Sequence, residues 1–171
     1  MSRERSTIND ARQACFIIFE LGDATYAVAI DAVAEVLPLP ALASEPGASS
    51  ILAGFLNLRG EAIPVLRLSR ILEMPDPAID LSTSVILLRQ SGQRVGLLVS
   101  RVRQIVSVAP AAIMALPSSA NAMMATAARI DDKIVPVVAP EGLLLEQERR
   151  RIAELHAVRQ RRLHELQEAA A

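Results

Sequence analysis

The chain has 171 residues, of which 51% are apolar and 22% are charged, and its formal net charge is −1. This length suits one domain, or two small halves that share a core, and the composition excludes a disordered chain. A net charge near zero provides no field for nucleic acid or an anionic membrane, and 2% aromatic residues are too few for base stacking. We therefore expect a soluble, cytoplasmic protein that neither binds nucleic acid nor inserts into a membrane.

The N-terminal segment, residues 1–13, is charged and polar. It lacks the apolar core that a signal peptide requires. We predict a flexible tail that precedes the first strand.

The sequence contains an internal repeat, which begins directly after this tail. FIIFELGDATYAVAIDAVAEVL (16–37) aligns without a gap with VILLRQSGQRVGLLVSRVRQIV (85–106), so that the apolar positions coincide. The turn signals coincide as well, with Gly22-Asp23 opposite Ser91-Gly92. Each copy predicts a strand, a tight turn and a second strand.

The repeat continues into a second pair of segments. AIPVLRLSRIL (62–72) aligns with IVPVVAPEGLL (134–144), which places Pro64 on Pro136. Because proline cannot donate to a strand ladder, both prolines are predicted on an edge strand or at a bulge. Two such sets of short strands are expected to form two small β-barrels packed together, a duplicated and mainly β fold.

Two segments lie outside the repeat. PLPALASEPGASS (38–50) predicts a long surface loop, and residues 143–171 predict a long helix without internal Gly or Pro. The helix has leucine and isoleucine at heptad spacing, with a second apolar line beside it: Leu145, Ile152 and Leu166, then Leu155 and Leu163. Arg159 and Arg162 interrupt the seam and argue against a coiled coil. Packing on the protein's own sheets is favoured, and docking of a partner stays open.

Residues suited to catalysis or to metal binding are scarce. The two histidines, His156 and His164, are eight residues apart on the predicted helix, which is not the i, i+4 spacing of a ligand pair. Asp131-Asp132 is placed where a hairpin turn is expected. No phosphate-binding glycine loop or nucleophile elbow occurs. We predict no catalytic residue, no metal site and no cofactor, and therefore an interaction protein.

The clearest candidate for an interaction is the hairpin GFLNLRGEAIPVLRL (54–68). Gly60 permits the positive φ of a tight turn, so Arg59, Gly60 and Glu61 are predicted to reverse the chain. Gly54 indicates a bulge or a close backbone approach. On the residues alone, Arg59 is either a solvated turn residue or a binding residue.

This hairpin resembles the signature of the CheW family, the coupling adaptors of bacterial chemosensory systems, which reads approximately G-x-x-N-L-R-G-x-[VI]-[VIL]-P. The resemblance extends over residues 14–146, and residues 147–171 form a C-terminal helical extension. It implies two interlocked five-stranded β-barrels. It also implies an adaptor without catalysis that bridges the cytoplasmic tip of a chemoreceptor and the regulatory domain of a CheA-type histidine kinase, in membrane-bound receptor arrays.

The resemblance also assigns residues, by motif. Arg59 and Glu35 are expected to pair beside the receptor groove, and four further residues match positions around the same surface: Val33, Gly54, Asn57 and Gly60. The chain departs from the family pattern at Arg67 and Ser100. Two alternatives stay open: a regulatory module of another two-component pathway, such as a surface-sensing or pilus-linked one, and a generic β-barrel protein-binding module.

Overall fold

The fold was analysed in a computed structural model that describes residues 13–89, 93–117 and 122–170, apart from the side chains of residues 122, 146 and 147. In chain order the strands and helices are β1 (Ala14–Leu21), β2 (Ala24–Ala29), β3 (Val33–Pro38), β4 (Leu52–Leu58), β5 (Glu61–Arg67), α1 (Leu68–Ile71), β6 (Ser84–Leu88), β7 (Val95–Val99), β8 (Arg101–Val108), β9 (Ile113–Ala115), β10 (Thr126–Ile130), β11 (Lys133–Val137) and α2 (Glu146–Ala169).

The strands form two sheets that have the same plan. One sheet has the order β8-β1-β2-β11-β10-β9 and the other the order β3-β6-β7-β5-β4. The repeat relates β1 to β6, β2 to β7, β3 to β8, β4 to β10 and β5 to β11, so five strands correspond in the same order. Each sheet combines the first two strands of one repeat with the third, fourth and fifth strands of the other, which interlocks the halves. The predicted duplicated, mainly β fold is confirmed.

Each sheet curls around its own apolar cluster. In the five-stranded sheet, buried side chains of β5 and β6 meet Leu56 of β4 and the partly buried Leu37 of β3, so both outer strands border one core. The six-stranded sheet encloses the equivalent cluster: Phe16, Ile18, Ala27, Val108, Ala128, Val135 and Val137. A third cluster, the central core, lies between the sheets and includes Phe19, Val28, Leu66, Ile86 and Leu97.

The sheets differ from the expected pair of five-stranded barrels in two respects. One of them has a sixth strand, β9, beside β10. Within the described residues, no ladder joins the first and last strands of either sheet, so hydrogen bonds do not close the barrels.

The prediction that Pro64 and Pro136 lie on edge strands or at bulges is wrong. Pro64 is on β5, between β7 and β4, and Pro136 is on β11, between β2 and β10. The reason is the short parallel ladder on one side of each strand, which begins at the next residue, Val65 or Val137. Each proline therefore lies one residue before the parallel ladder begins, where its missing N–H costs no ladder hydrogen bond.

The C-terminal helix packs on the protein's own sheets, as favoured from the sequence, but with a different face. Ile152 (5% exposed) and Leu163 (8%) enter the central core, whereas Leu145 (73%) and Leu166 (67%) are exposed. Two residues eleven apart are three turns apart on a helix and share one line. The predicted heptad line is therefore wrong, since it joins Ile152 to the two exposed leucines.

The loop between β3 and β4, predicted as a surface loop, is partly covered by α2. The Glu45 side chain is only 5% exposed, and its carboxylate lies 3.4 Å from Arg159 and 3.5 Å from Arg162. Arg151 donates to the carbonyl of Gly47 at 3.4 Å. Arg159, expected to interrupt an apolar seam, thus lies on the packed side of the helix and pairs with a buried acid.

The remaining predictions concern the turn in each copy of the repeat and the N-terminal tail. Gly22-Asp23 forms the turn between β1 and β2, with a φ of +60° at Gly22, as predicted. Ser91-Gly92 and the tail up to residue 12 lie outside the described residues.

Over the described part of the chain, every helix is too short or too polar to cross a lipid bilayer.

Candidate functional site

The hairpin turn between β4 and β5 places Arg59 at its tip. Leu58 pairs with Glu61, so only Arg59 and Gly60 connect the strands, one residue fewer than predicted. Both have positive φ, +54° and +87°, as a type I′ turn requires. Asn57 stabilises the turn, because its Oδ1 accepts a hydrogen bond from the Gly60 N–H at 2.9 Å.

The backbone of Arg59 is unusual for an arginine. A positive φ is uncommon outside glycine, asparagine and aspartate, and Asn-Gly is a preferred pair for this turn. The repeat-related turn between β10 and β11 uses Asp131 and Asp132, with φ of +47° and +61°, which confirms their assignment to a turn. The β4–β5 hairpin therefore has an exposed arginine where local preference favours a smaller polar residue.

Gly54 lies where the preceding loop crosses β4. Ala43 and Phe55 exchange two backbone hydrogen bonds of 2.8 Å, and the register of β4 shifts between Leu52 and Gly54. Gly54 has a φ of +151°, and a Cβ there would lie 2.8 Å from the carbonyl oxygen of Ala43. The predicted bulge and close approach are both confirmed, and they give Gly54 a packing role.

We expect Gly54→Ala to lower the free energy of unfolding by about 3 kcal/mol, because it adds overpacking to backbone strain. Gly22→Ala is the matched control, since Gly22 also has positive φ but a Cβ there would meet nothing within 4 Å. That variant should lose only about 1 kcal/mol. Urea unfolding of both measures the difference, and equal losses would show that the contact with Ala43 costs nothing.

Glu35 lies on β3, beside an open groove of about 610 Å³. The groove is lined by Ile17, Ile30, Asp31, Val33, Ala34, Glu35, Val36 and Arg89. Val33 is buried in the central core, and its carbonyl accepts a hydrogen bond of 3.0 Å from Nε of Arg89. Val33 therefore holds the groove floor in place, while the Glu35 side chain is exposed. Apolar floor and charged rim are features of protein-docking surfaces.

Glu35 lies on β3, one outer strand of the curled sheet, and Arg59 lies in the turn that follows β4, the other outer strand. Among the described residues no hydrogen bond or ion pair joins them, and both side chains are exposed. The pair that the resemblance implies is therefore not formed in this structure. Both charges are open to groups of another molecule.

Several residues of this region carry no signal in the sequence. Arg89 contributes to the groove, and Glu45 anchors the helix. Gln160 of α2 contacts the hairpin itself: it accepts a hydrogen bond from the Ala62 N–H at 2.8 Å and donates one to the Gly60 carbonyl at 2.7 Å. A polar residue on a helix predicts none of these contacts, because they depend on how the helix docks.

The two departures from the family pattern have structural roles. Arg67 donates from Nη1 to the carbonyl of Leu52 at 3.3 Å, which ties the end of β5 to the start of β4. The Ser100 hydroxyl accepts a hydrogen bond from the Gly22 N–H at 2.9 Å. Neither residue is part of the groove or of the hairpin tip.

A second cleft, of about 140 Å³, is lined by Leu21, Arg67, Ser69, Asp76, Ile79, Leu98 and other mainly apolar residues. Hydrogen bonds from Ser69 and then from Arg70 hold the pKa of Asp76 below its ordinary value. The Asp76 carboxylate is thus ionised near neutral pH and already accepts hydrogen bonds from Ser69 and Arg70, which suits a structural role. No group of three metal-ligating side chains occurs among the described residues.

Fold and site together define an interlocked, duplicated β-sheet domain with an exposed arginine turn and, beside β3, a groove that has charged residues at its rim. Residues 16–148 match the family model of the CheW-like domain, and the chain belongs to the CheW family. A probable chemotaxis protein CheW of Rhizobium etli is 30% identical over 137 residues, covering 77% of this chain and 88% of that protein.

A solved structure has the same fold. The crystal structure of the scaffolding protein TtCheW from Thermoanaerobacter tengcongensis superposes with a TM-score of 0.70 at 24% sequence identity. The match covers 74% of this chain and 89% of TtCheW.

Proposed function

We propose that the protein is a non-catalytic adaptor that couples the cytoplasmic tips of chemoreceptors to a CheA-type histidine kinase in a cytoplasmic, membrane-associated signalling array. The observation that carries this proposal is the CheW-like match over residues 16–148, which spans both sheets and the arginine turn. The printed names of the relatives, a probable chemotaxis protein and a scaffolding protein, support the same role.

The conformation of Arg59 supports a docking role for the hairpin tip. A residue in a backbone conformation that is unfavourable for its type is kept there by the surrounding structure. Such residues cluster at functional sites. Arg59 is exposed and carries a planar guanidinium that can meet a carboxylate with two hydrogen bonds. We propose that Arg59 binds an acidic group of a partner protein.

The groove beside β3 supports a helical partner. Its floor is apolar, and its rim offers Asp31 and Glu35 together with Arg89. An amphipathic helix recognises a site of this kind by placing its apolar face on the floor and its charges at the rim. We propose that Val33 and Glu35 contribute to this surface, that Asn57 and Gly60 shape the turn, and that Gly54 acts through packing.

The test is reconstitution of the kinase with a receptor cytoplasmic fragment on vesicles. We expect the protein to bind both partners and to raise the rate of kinase autophosphorylation in the mixture. A kinase rate that does not respond to the protein, with no binding to either partner, would overturn the proposal. Incubation of the chain with phosphorylated kinase is the control, since phosphate transfer to the chain would instead indicate a signalling enzyme.

A further inference from the structure

The hairpin that carries Arg59 has an incomplete strand ladder on one side. β5 pairs with β4 from Glu61 to Leu66, but with β7 only from Val65 to Arg67. The backbone N–H of Ala62 and the carbonyl of Gly60 precede the ladder with β7 in the chain, so β7 does not pair with them. Since Ala62 is buried, its N–H needs a hydrogen-bond partner from elsewhere in the fold.

Gln160 of α2 supplies both missing hydrogen bonds. Its Oε1 accepts from the Ala62 N–H at 2.8 Å, and its Nε2 donates to the Gly60 carbonyl at 2.7 Å. One side-chain amide thus offers the donor and the acceptor that a neighbouring strand would offer. The two bonds bracket Glu61, so they fix the backbone immediately after the turn.

The helix holds Gln160 firmly in this position. Its neighbour Arg159 pairs with the buried Glu45, and Leu163, one turn further on, lies in the central core. Nε2 of Gln160 also lies 3.1 Å from Nε2 of His164. Because the helix already fixes the Gln160 side chain, its amide loses little conformational freedom when it binds the hairpin backbone.

The helix also follows the hairpin as far as its tip. A Cβ at Gly60 would lie 2.5 Å from Nε2 of Gln167, so the end of the Gln167 side chain lies against the turn. Asn57 supports the turn from inside the hairpin and Gln160 supports it from outside. Arg59 is the residue between these two supports.

We propose that Gln160 is a positioning residue: its amide completes the open edge of β5 and fixes the turn that presents Arg59. The C-terminal helix is therefore part of the architecture of the docking surface. This consequence for docking rests on the proposed function, whereas the effect on the turn does not.

The first experiment measures amide hydrogen exchange by NMR in the full chain. Gln160→Ala should speed exchange of the Ala62 amide about three- to tenfold, because it removes one hydrogen bond from that group. Gln160→Glu keeps the acceptor for Ala62 and loses the donor to Gly60, so Ala62 should stay closer to the wild type. Arg161→Ala, an exposed change on the same helix, is the matched control. Unchanged exchange at Ala62 in Gln160→Ala would overturn the proposal.

The second experiment separates positioning from direct contact with a partner. A receptor cytoplasmic fragment and the kinase are the probes, and their assembly with each variant is measured by co-sedimentation. Gln160→Ala should weaken assembly about fivefold, and should add little to the loss already caused by Arg59→Ala. Full additivity of the two losses would overturn the positioning role, because Gln160 would then act without Arg59.

The two experiments together distinguish failure of the inference from failure of the proposed function. If Ala62 exchanges faster in Gln160→Ala while Arg59→Ala assembles as well as the wild type, the support of the turn stands and the docking role of Arg59 is overturned. If Arg59→Ala weakens assembly but Ala62 exchange does not change, the docking role stands and the inference fails.

Discussion

Leu163→Ala is expected to lower the free energy of unfolding by about 2–4 kcal/mol, because it removes buried methyl groups from the central core and leaves a cavity. For a chain of this size, that loss corresponds to a melting temperature lower by roughly 5–15 °C. Ile152→Ala, on the same line of the helix, should behave alike. Urea unfolding and thermal melting of each variant, followed by circular dichroism, measure the effect.

Leu166→Ala is the control, since Leu166 differs from Leu163 only in facing solvent. It should change the unfolding free energy by no more than about 0.5 kcal/mol. If Leu163→Ala is as mild as Leu166→Ala, the helix is not part of the folding unit and its role would be confined to partners. Equally large losses would show that the exposed face is covered in solution.

The duplicated fold could be predicted from the sequence because the repeat preserves which side chains face inwards. The alignment of segments 16–37 and 85–106 keeps the apolar positions in phase, and phase determines which face of a strand is buried. Strand order in the two sheets then follows the repeat, as observed. The prolines lie on the returning strands of their hairpins, as predicted, but not at an edge or a bulge, because a sequence does not show that a parallel ladder begins just beyond each proline.

The packed face of the C-terminal helix could not be predicted for a related reason. Two apolar lines of similar strength run along it, and the choice between them depends on what lies opposite. In the structure Glu45 pairs with Arg159, and Gln160 forms hydrogen bonds with the hairpin backbone at Gly60 and Ala62. The arginines therefore accompany the buried line, whereas sequence rules place them on a solvated face.

The candidate site could be predicted in its residues but not in its geometry. The motif marks Arg59 and Glu35, and both are exposed on one curled sheet. The expected ion pair is not formed among the described residues, and Gln160 carries no motif. Charged side chains on a surface pair according to tertiary distances and partners, neither of which a local pattern contains.

Arg59→Asn is expected to weaken assembly with receptor and kinase strongly and leave the fold intact. It removes the charge and creates the Asn-Gly pair that a type I′ turn prefers, so stability should stay equal or rise. Loss of one member of a desolvated charge pair costs about 2–5 kcal/mol, which is roughly thirtyfold or more in affinity. Glu35→Gln should weaken assembly in the same way. Arg129→Ala, exposed on the repeat-related hairpin, is the control and should assemble like the wild type.

The double variant Arg59→Glu with Glu35→Arg decides how the two charges act. They do not pair in the free protein, so we expect each to meet its own group on a partner, and exchanging them should leave both sites mismatched. Assembly of the double variant should therefore be at least as weak as that of either single charge reversal. Recovery towards the wild-type affinity, measured by the same co-sedimentation, would instead show that docking brings Arg59 and Glu35 together as a pair. Unchanged affinity in all these variants would remove the hairpin tip and the β3 groove from the docking surface.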